Sequence, residues 1–135
     1  MRADAVIVDI DGTLALRGDR SPYEWSRVLE DMPNAPVVRL VTELSRQSQI
    51  IYVSGRSDVC RAETELWLIR NCVKGKLHMR RSGDHRMDAL IKEEFFRSTI
   101  SGQWNVWMVL DDRDQTVKMW RQLGLTCMQV APGSF

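Results

Sequence analysis

Ala5-Val6-Ile7-Val8-Asp9-Ile10-Asp11-Gly12-Thr13 is the stretch on which the fold turns. A short continuous apolar run that ends in acid is the pattern of a strand buried on both faces, as in the parallel sheets of α/β proteins. Its acids fall at the carboxyl end of the strand, where such sheets bind their ligands. Two carboxylates two residues apart, followed by a glycine turn, make a poor core. They make a good place to hold a divalent cation and to attack a phosphorus atom. A second acidic pair, Asp111-Asp112, ends the run Val106-Trp107-Met108-Val109-Leu110. The two acidic strand ends are expected to meet.

Outward from this stretch, strands and amphipathic segments alternate. Strands are expected over Ala5–Asp9, Gln49–Ser54 (halted by Gly55), Leu77–Met79, Val106–Leu110 and Thr126–Val130. Asn34-Ala35-Pro36 is a helix start, followed by Val37, Leu40, Val41 and Leu44 at helical spacing. Val59, Ala62, Leu66, Ile69 and Val73 mark one apolar face of a second helix, with Ser57 or Asp58 as its cap. Met87, Leu90, Ile91 and Phe95 mark a third. Asp114–Leu123 is a fourth, closed by Gly124 and capped by Asp114. The alternation predicts an α/β fold: a Rossmann-like three-layer sandwich, with a central, mostly parallel five-stranded sheet between helices. Leu14–Pro33, with Arg17, Arg20, Tyr23 and Trp25, is expected to form a small flap over the site. Residues 1–135 read as one domain.

Composition narrows the classes. The 135 residues are 44% hydrophobic and 27% charged, with a formal net charge of +1, ordinary for a globular domain. Any nucleic-acid contact must therefore come from a local basic cluster. No stretch is apolar for the length of a membrane span. Met1-Arg2-Ala3-Asp4 leads straight into a strand, so no signal peptide is expected. Cys60, Cys72 and Cys127 show no metal spacing and read as reduced thiols of a cytoplasmic protein.

Several groups can carry chemistry. Asp9 and Asp11 need opposite protonation states to act as nucleophile and general acid. Asp112 is the metal candidate, with Asp111 behind it or facing a lysine, and hard oxygen ligands suit magnesium. Ser54-Gly55-Arg56 offers a hydroxyl, an unhindered amide and a guanidinium for phosphate oxygens, although serine-glycine is also a common turn. Lys92 lies four residues after Asp88; spacing alone favours a surface ion pair, the other reading being a lysine directed at phosphate by its aspartate. Arg80, Arg81, His85 and Arg86 surround Gly83 and could meet a polyanion together with Arg17 and Arg20. The five tryptophans read as core or rim, with Trp25 open to either stacking or packing.

Asp9-Ile10-Asp11-Gly12-Thr13-Leu14 resembles the first motif of the haloacid dehalogenase superfamily of phosphatases, with Ser54, Lys92 and Asp111-Asp112 matching its second, third and fourth. Val53-Ser54-Gly55-Arg56, Ile91–Phe96, Leu110–Arg121, Arg20-Ser21-Pro22-Tyr23 and Gln129–Phe135 extend the resemblance, over nearly the whole chain, to the 3′-phosphatase domain of phage-type polynucleotide kinase-phosphatases. The resemblance implies Asp9 as nucleophile and Asp11 as general acid and base. It implies essential roles for Arg20, Arg56, Asp88 and Lys92, and metal-side roles for Asp111 and Asp112. Thr13, Ser54 and Gly55 join the substrate-binding set. No kinase phosphate-binding loop is found, so 5′-kinase activity is not expected of these residues.

The expected function is therefore a magnesium-dependent polynucleotide 3′-phosphatase. It would act on DNA or RNA ends through an aspartyl phosphate, with 2′,3′-cyclic ends a further candidate. Magnesium would be held by Asp9, the Asp11 carbonyl and Asp112. A second copy of the chain, or a kinase or ligase, are the protein partners left open. The alternatives are a small-metabolite phosphatase of the same superfamily, which the small flap disfavours, and a non-catalytic phosphate or nucleic-acid binding module. A signalling receiver is a further one. Receivers place the acidic pair after the first strand and the phosphorylated aspartate after a middle one; here the order is reversed.

Overall fold

The computed structural model describes residues 1–135. Its strands are β1 (Ala3–Val8), β2 (Ala15–Leu16), β3 (Met32–Pro33), β4 (Gln49–Ser57), β5 (Lys76–Arg80), β6 (Trp104–Asp111) and β7 (Cys127–Gln129). Its helices are α1 (Ala35–Leu44), α2 (Arg61–Asn71), α3 (Asp88–Phe95) and α4 (Asp114–Gln122). One π-helical turn, Phe96–Ile100, continues α3.

The main sheet runs β5-β4-β1-β6-β7, parallel at every pairing. After β1 the chain builds outward through β4 and β5, then returns to the other side of β1 for β6 and β7. Strand order therefore reverses at β1, and a crevice opens above its carboxyl end. Asp9 sits just past that end, its N–H donating to the Leu110 carbonyl at 2.9 Å.

Side chains alternate across the sheet with period two, so each face has its own core. Val6, Val8, Ile50 and Tyr52 pack with Val41 of α1 and Trp67 and Leu68 of α2. Ala5, Ile7, Ile51 and Val53 pack on the opposite face with Val117, Met119 and Trp120 of α4. The expected α/β sandwich is thus present.

Four local expectations change. Gly55 does not halt β4: a bulge after Ser54 carries the strand on, and Ser57 pairs with Arg80. The inner face of α2 is not the expected one. Val59, Ala62, Leu66 and Ile69 are exposed, while Thr64, Trp67 and Leu68 are buried. The Trp67 indole donates to the Asp31 carbonyl at 2.8 Å and Thr64 accepts from Arg56 at 3.1 Å. These two polar anchors turn the helix about its axis. Met87, just before α3, and Leu90 within it are exposed, and Ile91 and Lys92 are buried. Asp114 is not a cap: it opens the first turn of α4 and accepts from Gln129 at 2.7 Å.

The flap is more ordered than its sequence pattern suggests. β2 and β3 form a two-stranded antiparallel ladder, with a short 3-10 helix, Trp25–Glu30, between them.

Candidate active site

The crevice above β1 is about 910 Å³, and its floor is formed by Asp9, Lys92, Asp111 and Asp112. The chain after β1 folds into a tight turn because the Ile10 carbonyl accepts from the N–H groups of Thr13, Leu14 and Ala15, at 3.2, 2.9 and 2.9 Å. Gly12 has a φ of +81°, a region that strains any residue with a Cβ. A Cβ there would also collide with the Asp112 carboxylate. The turn thus brings the first acidic strand end against the second, as expected. The Thr13 hydroxyl donates to Asp9 Oδ2 at 2.9 Å, fixing its rotamer.

Asp9, Asp111 and Asp112 are all buried, and one carboxylate oxygen of each lies within 4.8 Å of the others. Lys92 Nζ donates to Asp9 at 2.7 Å and to Asp111 at 3.1 Å. Burial opposes its charge, but Asp111 and Asp9 outweigh burial and raise its pKa. Burial raises the pKa of Asp9, and Asp111 beside it adds to the effect. Asp112 is raised by burial too, and the neighbouring Asp111 charge adds to the effect. Burial also opposes the charge on Asp111, yet Lys92 and the Trp120 indole hold its pKa low.

The three acids are not equivalent. Asp111 Oδ2 accepts from Lys92 and from Trp120 Nε1, and its Oδ1 accepts from the N–H groups of Asp112 and Arg113. With four donors its lone pairs are filled, which puts it behind the site facing the lysine. Asp9 and Asp112 are less fully served. Three carboxylates against one ammonium leave two negative charges in excess. Paired hard oxygens with such an excess fit a divalent cation of the magnesium type.

Asp11 has different surroundings. Its side chain is 42% exposed, and it reaches into the mouth of the crevice. Arg56 grips it bidentately, Nε to Oδ2 at 3.0 Å and Nη2 to Oδ1 at 2.8 Å, and Arg20 adds a third bond at 3.3 Å. Both arginines are buried and both also bind Asp31, Arg20 at 2.7 and 2.9 Å and Arg56 at 2.9 Å. The Arg56 guanidinium, expected to hold phosphate, is thus committed to Asp11, Asp31 and Thr64. Arg20 is likewise a brace within the flap. Nor does Lys92 pair with Asp88. Asp88 instead bonds Arg80 of β5 and, at 2.8 Å, Arg113 before α4. It tethers two loops across the crevice and presses on Gly55, where a Cβ would lie 2.5 Å from its carboxylate. Ser54 is buried at the end of the regular β4 ladder, and its Oγ accepts from the Arg56 N–H at 3.1 Å.

Arg80 and Arg86 of the basic cluster are held internally, Arg80 by Gly55 and Asp88, Arg86 by Asp84 and Glu94. Arg86 is nonetheless exposed, as are Arg81 and His85, which have no such partners. The residue that sequence reading missed is Asp31. It sits in the flap just before Met32-Pro33, with no periodicity or motif to mark it. Its side chain is fully buried between two guanidiniums. Asp31→Asn is expected to destabilise the fold by about 3 kcal/mol, because it leaves buried cations underpaired. It should also lower turnover by freeing Asp11. Urea unfolding and steady-state kinetics check both, and an unchanged kcat would refute the bracing role.

Residues 3–135 match the model of the family described as the polynucleotide kinase PNKP phosphatase domain. The chain belongs to that family. The phosphatase domain is therefore a hydrolase of the haloacid dehalogenase type. Among curated proteins it is 38% identical, over 124 residues, to the "Putative bifunctional polynucleotide kinase/RNA ligase" of Autographa californica nuclear polyhedrosis virus. The match covers 88% of this chain and 18% of that protein. Two solved chains, both from structures of the Pnkp1/Rnl/Hen1 complex, which one of them describes as an RNA repair complex, share 39% identity with it. Their TM-scores are 0.95 and 0.94, and each match covers 99% of the phosphatase domain. It spans 44% and 48% of those chains, so it corresponds to under half of each. No helix in it is long and apolar enough to cross a membrane.

Proposed function

We propose that the phosphatase domain is a magnesium-dependent polynucleotide 3′-phosphatase, folded as one domain over residues 1–135, that works through a phosphorylated Asp9. The observation that carries this reading is the pairing of two unlike acids at one strand end. Asp9 is buried against Lys92, whereas Asp11 stands at the crevice mouth, oriented by two guanidiniums. That is the division of labour a nucleophile and a proton-transfer group require.

An Asp9 carboxylate oxygen attacks phosphorus as the bond to the 3′ oxygen breaks, and Asp11 gives its proton to that oxygen. Asp11 then takes a proton from water, which attacks the aspartyl phosphate and releases phosphate and a free Asp9. Arg56 and Arg20, anchored by Asp31, hold Asp11 in line for both steps. Lys92, already at Asp9, faces the phosphoryl oxygens as they arrive, and the Ser54 hydroxyl and Gly55 amide flank them. Bound between Asp9, the Asp11 carbonyl and Asp112, magnesium would neutralise the repulsion between nucleophile and phosphate.

The relatives named for polynucleotide kinase, RNA ligase and RNA repair support nucleic-acid ends as the substrate, and a kinase or ligase as companion activities. Three free thiols support a reducing, cytoplasmic setting. The test is phosphate release from a 3′-phosphorylated oligonucleotide and from common sugar phosphates, with and without magnesium. Release from the oligonucleotide that needs magnesium is expected. Faster turnover of a sugar phosphate would overturn the substrate assignment.

A further inference from the structure

The apolar surface of the crevice is concentrated in few side chains, and two of them, Tyr23 and Trp25, stand on the flap. Their rings meet edge to face, with centroids 6.1 Å apart and planes at 90°. Yet Tyr23 keeps 80% of its surface exposed. A large aromatic ring braced by a neighbour and left open over a polar crevice is a surface on which a planar group can stack.

Its position in the chain says which part of a substrate it would meet. The segment before Tyr23 is fixed by the Arg20 guanidinium, whose Nη1 donates to the carbonyls of Ser21 at 3.1 Å and Pro22 at 3.5 Å. The same guanidinium reaches Asp11 at 3.3 Å. The turn is closed by the Ser21 N–H to Glu24 at 3.0 Å and the Tyr23 N–H to Ser21 Oγ at 3.4 Å. The ring is therefore tied to the side of the crevice where Asp11 stands. Under the function proposed above, on which this inference rests, Asp11 protonates the departing 3′ oxygen, so the nucleoside lies on that side. Arg17 and His85 line the same crevice and are exposed, and no side-chain hydrogen bond or ion pair within the chain engages them.

We propose that Tyr23 is the stacking platform for the base of the 3′-terminal nucleotide, with Trp25 bracing its ring and Arg17 and His85 placed to meet the backbone phosphate on the 5′ side of that nucleotide. Stacking reads the π face of any base, so this subsite favours a nucleotide end without selecting its sequence.

The experiment compares two oligonucleotides with 3′-phosphate ends, one ending in a normal nucleotide and one in an abasic residue. The native protein is expected to show a KM about tenfold lower for the base-bearing end, the size of one base-aromatic stack. Tyr23→Ala is expected to erase that ratio by raising KM on the base-bearing end, while Tyr23→Phe keeps it. A ratio that survives in Tyr23→Ala overturns the proposal. So does a Tyr23→Ala loss shared equally by both substrates, which would mean that the ring only supports the flap. Equal KM values on the two ends in the native protein sink the subsite alone. No phosphate release from either end sinks the underlying function.

Discussion

Asp9→Asn is expected to abolish phosphate release, lowering kcat by about 10⁴-fold or more, the usual cost of removing a covalent nucleophile. The fold should survive. Asparagine keeps the shape of the side chain and an oxygen for the Lys92 ammonium, which now sits 2.7 Å from Asp9. Burial disfavours the Asp9 charge in the native protein, so replacing it by a neutral amide removes a buried carboxylate from a crowded acid group. Stability within about 1 kcal/mol of native is expected. Mass spectrometry of acid-quenched turnover should find one phosphoryl group on Asp9 in the native protein and none in the variant. An Asp9→Asn protein that releases phosphate at the native rate would refute the nucleophile assignment.

Lys92→Met is expected to have the largest effect on stability. The native ammonium answers both Asp9 and Asp111 from a fully buried position. Without it three carboxylates remain buried together, and breaking a buried pair on one side costs about 3–5 kcal/mol. The pH dependence follows from the direction of the Asp9 shift. Its folded-state pKa is already raised by burial, and losing Lys92 removes a charge that lowers it. A carboxyl with a raised folded pKa binds more protons folded than unfolded, so its contribution to stability falls as pH rises through the folded value. The variant should approach native stability in acid below the ordinary carboxylate range, lose ground as pH rises from there through the raised folded value, and be weakest above it. Magnesium should restore part of the loss. Urea midpoints across pH, with and without magnesium, check this; a deficit independent of pH would mean that the lysine contributes packing alone.

Much of the architecture was legible because it depends on local pattern. The run Ala5–Val8 ends in Asp9, and the repeated switch between apolar strands and amphipathic helices implies a parallel sheet. The crevice then follows from where the strand order reverses. Periodicity was less reliable for the orientation of α2 and α3. In each the outward-facing apolar residues, Leu66 and Ile69 or Met87 and Leu90, mimic a core face. The true face is chosen chiefly by Trp67 in one helix and by Lys92 in the other, whose partners Asp31 and Asp9 lie 36 and 83 residues away.

The site divides in the same way. Asp9, Asp11, Gly12, Thr13 and the Asp111-Asp112 pair could be picked out because strand ends and a glycine turn mark them. The sequence by itself determined that two acidic strand ends must face one crevice. Only the tertiary structure decided what each charge does. It turned Lys92 from Asp88, four residues away, to Asp9, 83 residues away. It bound Arg56 to Asp11 across 45 residues, and it placed the unmarked Asp31 between two arginines. Local spacing names the nearest partner along a helix or strand. In a buried site the partner is set by which charges lose their water together, and packing alone brings those together.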